Sequence, residues 1–470
     1  MAVNLSRNTK VYLTTVDYPG DSSTVGASYT SANTFALPVL NGFAFSQKAE
    51  SSTITLSEAG DTPIRGSRSF NTKLNPVDWN FSTYIRPFKN ATKVSSIERI
   101  LWNCLAGGTG SLGYINSAAV TITAVSTATT EGGTYVTATA GASHTMQVND
   151  CASFYSTVVN ELKGSFRVLS VPTSTTLVFK WNGPDNYTNV PAPTTTTLFK
   201  SVWHETTAYG GVSFAGSDLN TLEKFNLIFA LDNGIYQVKN CAIDSADISF
   251  DINGIATIDW KGMGAVLSEL AGTNSTAKSS MTTALGAITA HASATNYITN
   301  KLSTVDLYGA STLTGALGMA KGTKYKMALT GGSISIKNNI QYVTPEVLGS
   351  VNAPIGYFTG TRDITGSLNA YLRTGAVEGG TGALLDDMLK YIGSVAEPEY
   401  NIKVSIGGLA NTLRVDLEMP SVALEVPSVD VQDVVSTTIN FKAQGFTRDN
   451  SVNKFDVEST NSLTIKYYAP

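Results

Sequence analysis

The chain is 470 residues long, 42% hydrophobic and only 14% charged, enough material for roughly two to four packed domains and too apolar for a disordered chain. A net charge of −4 with a pI near 5.5 excludes the basic footprint of a protein that grips nucleic acid. Three cysteines without CxxC spacing exclude a disulfide framework or a zinc site, and there is no apolar run of the length, about 18 residues, that a membrane-spanning helix needs.

The amino-terminal MAVNLSRNTKVYL has no charged stretch followed by an apolar run, so neither Sec export nor a membrane span is expected. Abundant Ser, Thr, Gly and Ala with few charges fit a β-rich building block whose surface is largely covered by neighbours. Residues 35–58, FALPVLNGFAFSQKAESSTITLSE, read as strand, and residues 61–75 as a Gly- and Pro-bearing loop. A second strand pattern follows in NPVDWNFSTYIRP, residues 75–87. Ile97, Ile100, Leu101, Cys104 and Leu105 recur at helical spacing, and GGTG ends that helix. The six residues from Gly108 to Gly113 fit GxGxxG, but they follow a helix and lack the strand-then-helix setting that holds a pyrophosphate.

Residues 117–201 alternate apolar and polar residues in short runs broken by turn signals, and are expected to form a small inserted β domain that decorates the outer surface. Asn226 to Gly262 then carries the hairpin ADISFDINGIATIDW. There Ile248, Phe250 and Ile252 alternate with Asp247, Ser249 and Asp251, and a three-residue loop with a glycine bulge brings Ala256, Ile258 and Trp260 onto the apolar face. The opposite face holds Asp247, Asp251 and Asp259. Residues 265–295, rich in Ser, Thr and Ala, are expected to be a linker with a short helical piece.

After residue 296 the order recurs. YKMALTGGSISIKNNIQYVTPE echoes residues 35–58, GTRDITGSLNAYLR echoes 75–87, and Leu384, Leu385, Met388, Leu389 and Ile392 echo the helix. Residues 401–445 echo 226–262, with Val422, Leu424 and Val426 around Glu425, and with Asp433 opening the return strand. A duplication of this period implies two units that bury their edges against further copies. The expected fold is mainly β with one helix per module (α+β): module 1 at 4–116 and 202–264, the insertion at 117–201, the linker at 265–295 and module 2 at 296–470.

Chemistry is scarce. His144, His204 and His291 fall outside the repeated positions, so no nucleophile–base constellation is built into the duplicated frame, and no P-loop, HExxH or EF-hand loop is present. Neither a catalytic site nor a metal or cofactor is expected. Cys104 and Cys241 read as buried core thiols, in keeping with assembly in a reducing compartment. Trp181, Tyr187 and Trp203 are the stacking residues of an alternative carbohydrate-binding reading.

The segments SEAGDTPIRGSRSFNTKLNPVDWNFSTYIRPFKN (57–90), DSADISFDINGIATIDWKGMG (244–264), NYITNKLSTVDLYG (296–309) and TGGSISIKNNIQYVTPEVLGSVNAPIGYFTGTRDITGSLNAYL (330–372) resemble the tail tube proteins of non-contractile siphophages, in particular the T-five-like kind with two fused tube modules. The resemblance implies a virion subunit assembled in the host cytoplasm, three chains per pseudo-hexameric ring and a hollow stack of rings. It also implies partners at the tail tip or distal tail and at the tail terminator, with tape measure protein and later double-stranded DNA in the lumen. A distal tail or baseplate hub protein of the same fold is the structural alternative. On this reading Asp247, Asp251, Asp259, Glu425 and Asp433 are candidates for an acidic lumen that lets DNA slide. Residues 61–75 and 344–362 match the region that reaches between rings, with Arg65, Arg68 and Lys73 as the candidate contacts.

Overall fold

The computed structural model describes residues 8–16, 29–31, 33–56, 66–90, 93–107, 120–130, 133–144, 146, 148, 151–156, 164–180, 196–200, 203–205, 209–215, 222–231, 234–252, 254–271, 275–288, 296–309, 324–346, 348, 352–373, 380–391, 400–408, 412–426, 428–430, 435–444, 448–449, 454–455 and 461–470. Within them the chain is mainly β, with α-helices α1 (Arg99–Ala106), α2 (Ser275–Gly286) and α3 (Thr381–Tyr391).

Nine strands build the sheet that organises the molecule: β1 (Ala44–Leu56), β2 (Gly66–Tyr84), β3 (Ile235–Asp251), β4 (Thr257–Gly264), β5 (Ala328–Lys337), β6 (Asp363–Tyr371), β7 (Arg414–Leu424), β8 (Ser428–Asp430) and β9 (Ser436–Ala443). Antiparallel pairings give the order β1-β2-β4-β3-β5-β6-β9, and β9 takes both β8 and the end of β7 as its last neighbour. The first four strands and the last five are thus arranged alike. They meet where β3 pairs with β5, from Ser245 opposite Lys337 to Asp251 opposite Gly331.

Period-two patterning decides which face is dry. Ile248, Phe250, Ile258, Trp260, Ile334, Ile336, Ile364, Leu368, Ile439 and Phe441 are buried on one face, whereas their sequence neighbours on the other are polar. The dry face is covered by outer strands that share chain with it. The start of β3 pairs with Phe225–Ala230 and Val266–Ala271, and the start of β7 with Tyr400–Gly407 and Asn461–Tyr468. The last of these also takes Gly210–Ala215 from the first half, a second join between halves.

Between the layers lies α1, all of whose residues are buried. Trp102 packs edge-on against Trp260 at 4.7 Å, and its indole N–H donates to Tyr467 Oη at 2.6 Å. Gly107, at φ +77°, closes the helix, a conformation that favours glycine, and Gly108 to Gly113 lie outside the described residues. Two cross-strand pairs place an aromatic ring over a glycine: Trp79 over Gly262, and Phe441 over Gly366. A Cβ at either glycine would sit 2.3 Å from the ring. The pairs occupy matching places with glycine and aromatic exchanged between strands, so the same volume is filled from opposite sides.

Six strands between Val120 and Lys200 form a closed barrel with a separate core that includes Ile122, Val136, Ala152, Leu177 and Phe179. Two expectations need correction. Within 265–295, Val266–Ala271 is a full strand on β3 and α2 follows it. The helical piece was expected there; the strand was hidden because its six residues, VLSELA, stand at the head of a Ser- and Thr-rich stretch. The β3–β4 loop is longer than three residues, since Ser249 already faces Thr257. The parity holds for Phe250, Ala256, Ile258 and Trp260, but Ile252 lies in the turn, 43% exposed. Cys104 and Cys241 are buried free thiols, and burial pushes both well up from the usual thiol range.

Glu98, just before α1, is buried, and its Oε1 accepts the Arg86 backbone N–H at 3.1 Å. Burial outweighs these contacts and pushes its carboxyl up to about 7. The folded chain therefore holds a proton that the unfolded chain releases near pH 4.5, so this contribution is full below that pH and is lost as pH rises towards 7. At roughly 1.4 kcal/mol per unit the loss is on the order of 3 kcal/mol. Glu98→Gln is expected to flatten that fall, as read from urea midpoints of variant and parent between pH 5 and 8.

Candidate functional site

The outward face of the nine-stranded sheet is one continuous polar surface crossing both halves. Its rows run across strands: Ser82, Asp259, Asp247, Ser335, Thr365 and Lys442 form one, and Thr257, Ser249, Ser333, Ser367 and Asn440 the next. Hydroxyls and amides dominate, and four of the carboxylates are held in place. Asp247 pairs with Lys261 at 3.1 Å and accepts Ser335 Oγ at 2.5 Å; Asp259 accepts Ser82 Oγ at 2.5 Å. Asp363 pairs with Lys442 at 2.7 Å, and that hydrogen bond holds its carboxyl below the usual carboxylate range. Glu425 accepts Asn440 Nδ2 at 3.0 Å.

Asp247, Asp251 and Asp259 thus share the face assigned to them, and Glu425 lies across from them on the second half. Asp433 lies outside the described residues. The face is less acidic than the sequence implied. Among the described side chains, six carboxylates (Asp78, Asp247, Asp251, Asp259, Asp363, Glu425) stand with four lysines (Lys48, Lys261, Lys337, Lys442). The lysines were missed because a partner on the neighbouring strand is invisible in one strand's alternation. Where the polar row ends, Ser249, Asp251, Asn300, Thr330 and Asn369 line a cavity of about 420 Å³.

The segment assigned to inter-ring contact is not a loop at its base. β1 and β2 run on together as a hairpin arm beyond the sheet, with Ser51 to Thr55 and Gly66 to Asn71 exposed. Ile54 (52% exposed), Phe70 (48%) and Arg68 lie on one side of it, and Ser51, Thr53, Ser69 and Asn71 on the other. Lys73 sits lower, in an ion pair with Glu50 at 3.1 Å, and Leu74 N–H donates to Asn352 of the second half at 2.7 Å. Arg65 lies outside the described residues.

The corresponding hairpin of the second half, Ile340–Val343 with Gly356–Thr359, folds back instead. The chain bends at Asn338 and at Asn339, which has φ +51°. Tyr342 Oη donates to Asn240 O and Met263 O, and Tyr357 Oη to Leu222 O, all in the first half. Beneath the bend, Asn338 Nδ2 donates to Leu105 O at 3.0 Å and Arg362 Nη2 to Ala106 O at 3.1 Å, so the second half caps the last carbonyls of α1. Burial pushes Arg362 down to about 10. This latch carries no motif that a sequence scan could have found.

Among the described residues no group of His, Cys, Asp and Glu is spaced to hold a metal, and no helix is long and apolar enough to cross a membrane. Trp203 is buried, its indole N–H donating to Glu205, so it offers no ring to a sugar; Trp181 and Tyr187 lie outside the described residues.

A polar sheet face runs through both halves, and an arm projects beyond it. Residues 228–443, which span the β3–β5 join, match the family model described as phage tail tube protein. The chain is also 25% identical over 452 residues to the tail tube protein pb6 of Escherichia phage T5, an alignment covering 94% of this chain and 73% of that protein. Both findings support the reading of the chain as a siphophage major tail tube protein, a component of the virion tail.

Arg362→Ala is expected to lower unfolding stability by about 1–3 kcal/mol, because Ala106 O loses its charged donor in a buried place. Urea denaturation monitored by tryptophan fluorescence measures it.

Proposed function

We propose that the chain is the major structural subunit of a tail tube, three copies closing a pseudo-hexameric ring and rings stacking into a hollow tube that conducts double-stranded DNA, without any catalytic role. The observation that carries this is the single sheet: two sets of strands in the same order, joined edge to edge through β3 and β5. Such a sheet is a repeating unit, and three copies of eight strand positions give about 24 strands. At about 4.8 Å per strand the untilted barrel is roughly 37 Å across, and tilt widens it. Barrels of far fewer strands already leave an aqueous channel.

The polar face then lines the lumen. Lys261 and Lys442 are tied to carboxylates on neighbouring strands, so passing phosphates meet hydroxyls, amides and a net negative charge, and few counterions are released to hold DNA. The arm reaches along the tube to the next ring, and the inserted barrel projects outward. The tail tip or distal tail protein, the terminator and the tape measure protein are the remaining partners.

Negative-stain microscopy of the purified chain tests the proposal: hollow striated tubes are expected. Discrete rings that never polymerise would instead favour the hub reading. Deleting residues 62–68 is expected to leave folded chains that form no tubes; tubes of normal length from this variant would remove the arm from ring stacking. Replacing Asp247, Asp251 and Asp259 together by lysine is expected to create salt-dependent DNA binding. Its log–log slope should lie near −2 to −3 in a gel-shift titration, where the parent shows no binding.

A further inference from the structure

We infer that the duplicated hairpin has been put to two uses: in the first half it is the arm that reaches the next ring, and in the second half it is a brace that aims that arm. A ring then carries three arms and three braces. The inference rests on the tube proposed above and adds which element positions the contact between rings. Phe45 faces Trp79, and Ile334 faces Gly366; each of these partners lies five residues before the tyrosine that ends its strand, Tyr84 or Tyr371. The two hairpins therefore leave the sheet at matching places, past Lys48 and past Lys337. From there β1 and β2 pass through two bulges and stay paired outward, from Ala49 opposite Leu74 to Leu56 opposite Gly66. The second hairpin pairs from Ile340 opposite Thr359 to Val343 opposite Gly356 and turns back.

What turns it back is supplied by the first half. Asp244 lies in a bulge of β3, where its backbone carbonyl accepts Asn338 N–H at 2.7 Å and its Oδ1 accepts Ile340 N–H at 2.8 Å. Asn339, between them, takes φ +51°, and its Nδ2 donates to Thr361 O at 2.7 Å, which holds the chain entering β6. Ile340 is then buried with Leu222 and Ala242, and Met263, Tyr342 and Tyr357 pack around them. This is a built seat. The described flanks of the arm are exposed instead, and Thr53 and Ser69 meet across it at 3.1 Å.

The seated hairpin meets the arm at its base. β4, the neighbour that supports β2 within the sheet, stops at Gly264, opposite Val77. Farther out, Asn352 takes up the edge of β2 that β4 releases. Leu74 N–H donates to Asn352 O at 2.7 Å and Asn352 N–H to Thr72 O at 3.4 Å, so Lys73 faces Asn352 in a parallel bridge. β1 holds the other edge, with Glu50 opposite Lys73. A hairpin that leaves a sheet through bulges is bent there and can swing about its base unless both edges are held. Asn352 is thus a positioning residue, acting on the arm through its backbone.

The test is a lock within the chain. A variant carrying Lys73→Cys and Asn352→Cys, which face each other across the bridge, is expected to form that disulfide on oxidation and to assemble tubes as the identically oxidised parent does. A locked chain that makes tubes only after reduction means that the second hairpin swings out as another arm, and a pair that never links contradicts the bridge; either overturns the inference. Replacing residues 341–358 by a short Gly-Ser link, which the facing Ile340 and Thr359 accept, is expected to speed amide exchange at 51–55 and 67–74 about tenfold and to lower tube yield by a similar factor. Tyr342→Phe with Tyr357→Phe removes the hydroxyl contacts and keeps the rings, so it reads the same effect should the shortened chain not fold. Adding the oxidised lock to that variant is expected to restore its tubes and slow the exchange again. Arm amides and tube yield that match the parent in both variants overturn the brace and leave the tube function standing. A parent chain that forms no tube under any condition overturns the tube and the inference with it.

Discussion

Backbone pairing between β3 and β5 is the constraint on which the rest of the molecule depends. Seven successive pairs, from Ser245 opposite Lys337 to Asp251 opposite Gly331, make one sheet of two halves. Had the halves met through side chains alone, they would be free to rock, as ordinary domain interfaces do. A shared ladder fixes both the distance and the rotation from one half to the next, because strand spacing and twist are set by the backbone. The bend at Asn338 and Asn339 and the capping of α1 by Asn338 and Arg362 lock that geometry from behind.

The same sheet separates two jobs. Its dry face carries the stabilising burial, with Trp79, Trp102, Trp260 and Tyr467 filling the space between layers. The wet face carries little stability, since exposed pairs such as Asp247 with Lys261 contribute at most about 1 kcal/mol. Its fixed hydroxyls and paired charges offer a smooth, weakly negative surface, which fits the proposed passage of DNA along it.

Much of this was legible in the sequence. Alternation along residues 246–260 placed Phe250, Ile258 and Trp260 in the core and Asp247, Asp251 and Asp259 on the opposite face. Helical spacing found α1 and α3. What stayed hidden depends on neighbours across strands or across halves. The lysines that neutralise Asp247 and Asp363 lie 14 and 79 residues away. The strand Val266–Ala271 is only six residues long and stands at the head of a Ser- and Thr-rich stretch, and the second strand of the arm, from Gly66, read as loop because a strand exposed on both sides carries few apolar residues to mark it. Ile252 was placed in the core because alternation says nothing about where a strand stops.

The most direct measurement of the central claim is a cryo-electron microscopy reconstruction of the assembled tube, resolved well enough to trace strands. The account predicts threefold rings whose inner wall is one uninterrupted barrel, with the Asp247, Asp259 and Asp363 carboxylates facing the channel. Rings of six chains, or an inner wall broken between subunits with these carboxylates outside, would contradict it.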